Sequence, residues 1–266
     1  MSKLFIYQLI ISFFVGGFVI ALLGYIAERA NKKIAGSILS LPSTALIAYI
    51  FMAWTVSPSA AAQVVPATIA ANLAVSLFTI AFVYLSKIKL PRIYSIILSF
   101  LGALAIWSSI AIPIAIFKFS HIVASLILYS IGLIMGYYFL TKKNNAPEHI
   151  APLTYSLWQK IGRALFAGSI ITLAVYLSKT LHPFWGGVLS SFPATYSSTF
   201  IILRWYYDPG MLSKVARSIP FGSIIYTLYV LAVHWTYPAF GIIGGTVVAY
   251  TLCLIPFFLL LRFKKN

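Results

Sequence analysis

Apolar residues run along this chain in stretches of about twenty, separated by short polar or basic segments. That is the length a helix needs to cross a bilayer. The pattern predicts nine such spans, at 4–27, 34–56, 64–86, 93–117, 121–141, 161–178, 184–205, 215–236 and 238–261. Gly, Pro and Ser occur inside several of them and do not disqualify them, because neighbouring helices can satisfy a loosened backbone in lipid. The one sizeable polar stretch, Thr141–Pro152, is too short for a domain and reads as a linker between two halves. The first span is longer than the roughly 7–15-residue core of a signal peptide and reads as a retained helix.

The same pattern occurs twice. Without a gap from about Gly17 to Ala81, Gly17 aligns with Gly168, Tyr25 with Tyr176 and Gly36 with Gly187. Ser40 aligns with Ser191, Pro42 with Pro193, Thr44 with Thr195, Trp54 with Trp205 and Pro58 with Pro209. The best-matched core reads G-S-I-L-S-L-P-S-T in one copy and G-V-L-S-S-F-P-A-T in the other. Many transporters form a substrate site between internal repeats, so the duplication points to transport before any single residue is weighed.

Composition agrees with lipid as the solvent. The 266 residues are 61% hydrophobic and 8% charged, against roughly a quarter charged in a soluble domain. Mean hydropathy is +0.98. The net charge of +16 would suggest nucleic acid in a soluble protein. Here the basic residues lie between apolar runs and report topology instead. With nine spans, Lys3, Lys118 and Lys179 fall on one side and the other sixteen of the nineteen basic residues on the opposite side. The positive-inside rule then predicts an external N-terminus and a cytoplasmic C-terminus. Span 1 and its counterpart span 6 run in opposite directions in this scheme. The expected architecture is all-α and polytopic, a 4+1+4 plan with two inverted four-helix units, in the inner (cytoplasmic) membrane. Its parts are 1–117, a connecting helix and linker at 118–157, and 158–266.

The segment from Lys33 to Ala48, with Ile34-Ala35-Gly36 and Pro42-Ser43-Thr44-Ala45-Leu46-Ile47-Ala48 at its core, resembles the GlpM-like family of small bacterial inner-membrane proteins. Phe184–Thr199 looks like a second, more diverged copy. The resemblance covers both repeat units and is sharp over some 15 residues. This chain departs from the family pattern as a fused, double-length form with an added helix. The resemblance implies a shared four-helix unit and specifies no substrate.

The residues best suited to a binding site are the two S-x-P-x-T turns, Ser40/Pro42/Thr44 and Ser191/Pro193/Thr195. Proline removes a backbone donor and clashes with the carbonyl four residues back. The hydroxyls beside it can bond the freed backbone or a ligand. Ser43 adds to the first turn, and Tyr196, Ser197 and Ser198 to the second. In lipid such breaks are tolerated where they are buried in protein or line a cavity. The competing reading is a packing kink. Asn72 with Ser223, and Ser76 with Thr227 one turn on, form two more aligned polar pairs. They either line the site or bond between helices, at about 0.6 kcal/mol each.

The acids Glu28, Glu148 and Asp208 all lie in or near predicted cytoplasmic loops, so no carboxylate proton relay is expected within the spans. That favours an anionic or neutral solute. His121, His182 and His234 fall on the predicted outer side without the spacing of metal ligands, so no metal and no cofactor is expected. Gly132-x-x-x-Gly136 is a candidate homodimer face, with packing inside the bundle as its alternative. Trp107 sits deep in span 4, lining a cavity or filling the core. Cys253 reads as a buried apolar residue. Enzyme motifs, catalytic residues and a nucleotide-binding loop are absent. The expected function is movement of a small solute by alternating access. The alternatives are a lipid or lipid-linked-sugar flippase or scramblase, and a non-transporting assembly partner. The partners expected are the lipid bilayer and a small-molecule or lipid substrate, not nucleic acid.

Overall fold

The computed structural model describes residues 2–29, 42–142 and 156–263. Among these residues the chain is helical, without a strand. The helices are α1 (Lys3–Arg29), α2 (Ser43–Thr55), α3 (Pro58–Gln63), α4 (Val65–Leu85), α5 (Arg92–Ile116) and α6 (Ile122–Gly136), which continues through a π-helical turn at Tyr137–Lys142. They are followed by α7 (Leu157–Thr180), α8 (Pro183–Ser190), α9 (Ala194–Tyr206), α10 (Pro209–Ala216) and α11 (Ile219–Phe263). Among the described residues, six helical segments are long and apolar enough to cross a membrane.

The helices are amphipathic in the sense lipid requires. In α5, Ser95, Ser99, Ala103, Trp107 and Ala111 recur every four residues and are buried, while Ile93, Ile97 and Leu101 are exposed. In α6 the buried stripe is Ser125, Tyr129, Gly132 and Gly136, and Val123, Ile127, Ile131 and Ile134 face outward. Small and hydroxylated side chains let helix backbones approach. The large aliphatic ones are left for the hydrocarbon. The inward hydroxyls are satisfied locally: Ser99 Oγ donates to Ser95 O at 2.6 Å, and Ser125 Oγ to His121 O at 2.8 Å.

Two antiparallel contacts organise the bundle. Along α1 and α7, Phe5 stacks on Tyr176 with centroids 6.3 Å apart, Ser12 Oγ lies 3.3 Å from Thr172 Oγ1, and Lys160 Nζ lies 5.8 Å from the Tyr25 ring centroid. Residue numbers rise along one helix as they fall along the other. The start of α11 runs against α4 in the same sense: Asn72 Nδ2 donates to Thr227 Oγ1 at 3.4 Å, and His234 Nδ1 lies 3.0 Å from Ala62 O at the end of α3.

At 45 residues, α11 would be about 68 Å long if straight, more than twice a hydrocarbon core of about 30 Å. It breaks at Gly241, whose φ of 66° and ψ of −165° suit glycine alone. The two arms fold back on each other. Tyr237 Oη lies 2.8 Å from Thr246 Oγ1, and the Tyr229 and Tyr250 rings are 5.9 Å apart.

Four local features differ from the sequence pattern or resolve it. Residues 58–63 and 209–214, expected as loops, form α3 and most of α10. Each starts on a proline at N1, where the missing N–H costs nothing, and the two prolines are repeat counterparts. Ser57 caps α3 by accepting from Ala60 N at 3.0 Å. The Gly132/Gly136 stripe is taken up inside the chain. A Cβ on Gly132 would meet Leu73 Cα at 2.9 Å, and one on Gly136 would meet Pro220 at 3.4 Å. Trp107 fills the core, edge-on to Phe192 at 5.0 Å. Cys253 is buried, its thiol donating to Tyr250 O.

Candidate functional site

Pro42 and Pro193 adopt nearly the same non-helical backbone, φ −76°, ψ 47° and φ −78°, ψ 54°. Each is the N-cap of a 13-residue helix, α2 and α9. Before Pro193 the chain is again helical, as α8, so the span expected at 184–205 is two helices joined by a turn at residues 191–193. The counterpart of α8, including Ser40, lies outside the described residues.

The break around Pro193 is closed by hydroxyls. Thr68 Oγ1 and Ser190 Oγ both donate to Gly187 O, at 2.8 and 2.6 Å. Ser191 Oγ donates to Val188 O at 2.7 Å, and Tyr226 Oη to Ser190 O at 3.2 Å. Phe192 N donates to Leu189 O at 3.0 Å. Every carbonyl in the last turn of α8 therefore has a partner. Thr68 also accepts from the buried Tyr49 Oη at 2.7 Å, which links α2, α4 and α8 through one hydroxyl.

The two breaks meet at a cavity of about 70 Å³, room for roughly five waters at about 10–15 Å³ each. Its walls come from the starts of α2 and α9, the middle of α4, the end of α6, the turn after α8 and the start of α11. Ten of the fourteen residues singled out from the sequence line it: Pro42, Ser43, Thr44, Asn72, Ser76, Ser191, Pro193, Thr195, Tyr196 and Ser223. Ser197 does not. It is fully buried in α9, with its hydroxyl unpartnered among the described residues. Ser198 turns its hydroxyl onto Ala194 O and Thr195 O. Ser223 donates to Pro220 O at 2.7 Å and lies 3.3 Å from Tyr129 Oη. Thr227, the counterpart of Ser76, sits behind Asn72 rather than on the wall.

The lining pairs repeat counterparts across the cavity: Pro42 with Pro193, Thr44 with Thr195, Asn72 with Ser223, and Val75 with Tyr226. No acidic, basic or histidine side chain is among the described lining residues. Among the described residues no group of three His, Cys, Asp or Glu is placed to hold a metal. Sequence reasoning did not place Tyr226, Ser190, Phe192, Gly136 or Pro220 at this site. Tyr226 had a usable signal, since it lies three residues after Ser223 and hence on the same helix face. Gly136 had none, because the contact between α6 and this site is purely tertiary. Comparison with known proteins gives no match, whether to a family model, a curated protein or a solved structure.

Proposed function

We propose that this chain is a multi-pass inner-membrane protein that moves a small anionic or neutral solute by alternating access at the cavity between the two proline breaks. The observation that carries the reading is the pairing of repeat counterparts around one cavity, whose described lining carries hydroxyl and amide groups and no charged side chain. A structural kink needs no cavity and no partner kink facing it. A site used from both membrane faces benefits from two equivalent halves.

The proposed architecture is nine crossings, with the α1–α5 region and the α7–α11 region as inverted four-helix units and α6 as the odd helix. Three observations support it. The boundaries of α2 and of α9 coincide under the repeat alignment. Counterpart helices α1 and α7 pack antiparallel, as inversion requires. The fold-back at Gly241 supplies two crossings from the longest helix. The resemblance to the GlpM-like family fits a duplicated four-helix unit and adds nothing on the solute.

Flux through proteoliposomes holding the purified chain tests the reading, with Thr44→Val and Thr195→Val as the probes. Each lost ligand hydrogen bond would cost about 0.5–1.5 kcal/mol, up to roughly tenfold in affinity. Reduced flux at an unchanged folded amount is the expected result. Flux unaffected by either variant, or absent for every small solute tried, would return the breaks to the status of structural kinks.

A further inference from the structure

Donors and acceptors at the breaks are in unequal states. The carbonyls of α8 that point at the turn are consumed, by Thr68, Ser190, Ser191, Tyr226 and the Phe192 N–H. The amides at the starts of α2 and α9 are not, apart from Ala194 N, which donates to Phe192 O at 2.7 Å. Both N-caps are prolines without a capping side-chain bond. The first helical bonds run from Leu46 N to Pro42 O and from Ser197 N to Pro193 O, at 2.8 Å each. The N–H groups of Ser43, Thr44, Thr195 and Tyr196 precede those bonds and have no partner among the described residues. All four residues line the cavity.

Two buried side chains point the same way. Ser43 is 9% exposed, lines the cavity, and its hydroxyl has no partner among the described residues. Asn72 is 5% exposed and touches Thr227 with one terminal atom of its amide. The other atom is left for the cavity. Because Thr227 can donate or accept, the amide is free to turn its NH₂ toward a ligand.

We infer that the cavity binds a small monovalent anion of the size of formate or nitrate. The inference rests on the reading of this cavity as the solute site and narrows its ligand. Each helix N-terminus carries roughly +0.5 of an elementary charge, so two of them balance about one negative charge. A divalent anion would keep a buried excess charge with no cationic side chain among the described lining residues to meet it. A sodium ion would need free carbonyls, as in unwound transporter helices, and those of α8 are already bonded. A polyol would spend its own donors against a wall that chiefly donates. A space of about 70 Å³ seats an ion of a few heavy atoms.

The test is calorimetric titration of the purified full chain in detergent with sodium formate, choline formate, sodium nitrate, sodium sulfate and glycerol, alongside nitrate and glycerol flux in proteoliposomes. Formate and nitrate are expected to bind, formate equally with either cation, and sulfate and glycerol not to bind. Ser43→Ala and Asn72→Ala should each weaken nitrate binding about five- to tenfold. Should Asn72→Ala fail to fold, Ser43→Ala decides. Binding of glycerol, sulfate binding as tight as nitrate, unchanged nitrate affinity in the folded variants, or no anion binding at tens of millimolar would overturn the inference. The two readings fail differently. Nitrate bound but never carried would sink transport and leave the anion site. Glycerol flux that Thr44→Val abolishes would keep transport and sink the anion.

Discussion

Gly17 and Gly168 meet where α1 crosses α7: a Cβ on Gly168 would stand 3.5 Å from the Gly17 nitrogen and 2.6 Å from the Phe13 carbonyl oxygen. They are counterparts in the internal repeat. When a residue touches its own counterpart on an antiparallel helix, a two-fold relation can pass between them, perpendicular to both helices. Asn72 meets Thr227 between α4 and α11, one helical turn beyond its own counterpart Ser223, beside the cavity.

This contact leaves no room for a side chain. Gly168→Ala should lower the melting temperature of the purified protein, since overpacking a tight interface costs about 1–3 kcal/mol. Gly162→Ala lies on the same helix, and its added methyl would meet nothing within 4 Å. It should hold or slightly raise the melting temperature, because alanine favours a helix over glycine by roughly 0.5–1 kcal/mol. Equal melting points for the two variants would show that the α1–α7 contact is not tight.

Thr68 is the hydroxyl on which Tyr49 and Gly187 both depend. Thr68→Val should leave the buried Tyr49 phenol unsatisfied, at about 1–3 kcal/mol, and remove one of the two hydroxyls that donate to Gly187 O. Tyr49→Phe should cost less, because Thr68 keeps its bond to Gly187. Thermal unfolding of the two variants tests the order. If Tyr49→Phe proves the more damaging, the hydroxyl link is not what holds α8 to α4.

His182 begins α8, outside the long apolar helices, with Nδ1 buried and unpartnered among the described residues. Burial, and secondarily the positive charge of Lys118, lowers its pKa from the usual 6.5. The folded state thus resists protonation that the unfolded state accepts. Stability from this group is present above pH 6.5 and declines as pH falls from there toward the folded value. Wild type should therefore lose more thermal stability between pH 7.5 and pH 5 than His182→Gln. Parallel losses would remove His182 as a source of acid sensitivity.

The charge asymmetry predicts an external N-terminus and a cytoplasmic C-terminus. Reporter fusions at the two ends should therefore give opposite signals. Like signals would mean an even number of crossings, and the inverted 4+1+4 plan could not stand.

Much of this was written locally in the chain. Apolar run length announces the long helices, because a span in lipid must satisfy its own backbone. Pro42 and Pro193 announce the helix breaks, because proline cannot donate and its ring clashes with the preceding turn. The repeat register brought Thr44, Thr195, Asn72 and Ser223 forward before any fold was known. What local pattern could not decide is which neighbour each group meets. Ser191 bonds its own helix, Ser197 is buried away from the cavity, and Tyr226 reaches across to Ser190 O. The Gly132/Gly136 stripe, equally suited to a second copy, is filled by α4 and Pro220. Those outcomes depend on helix packing between segments far apart in sequence. A hydroxyl or a glycine suits a lipid-embedded helix in many orientations, and only the tertiary arrangement selects one.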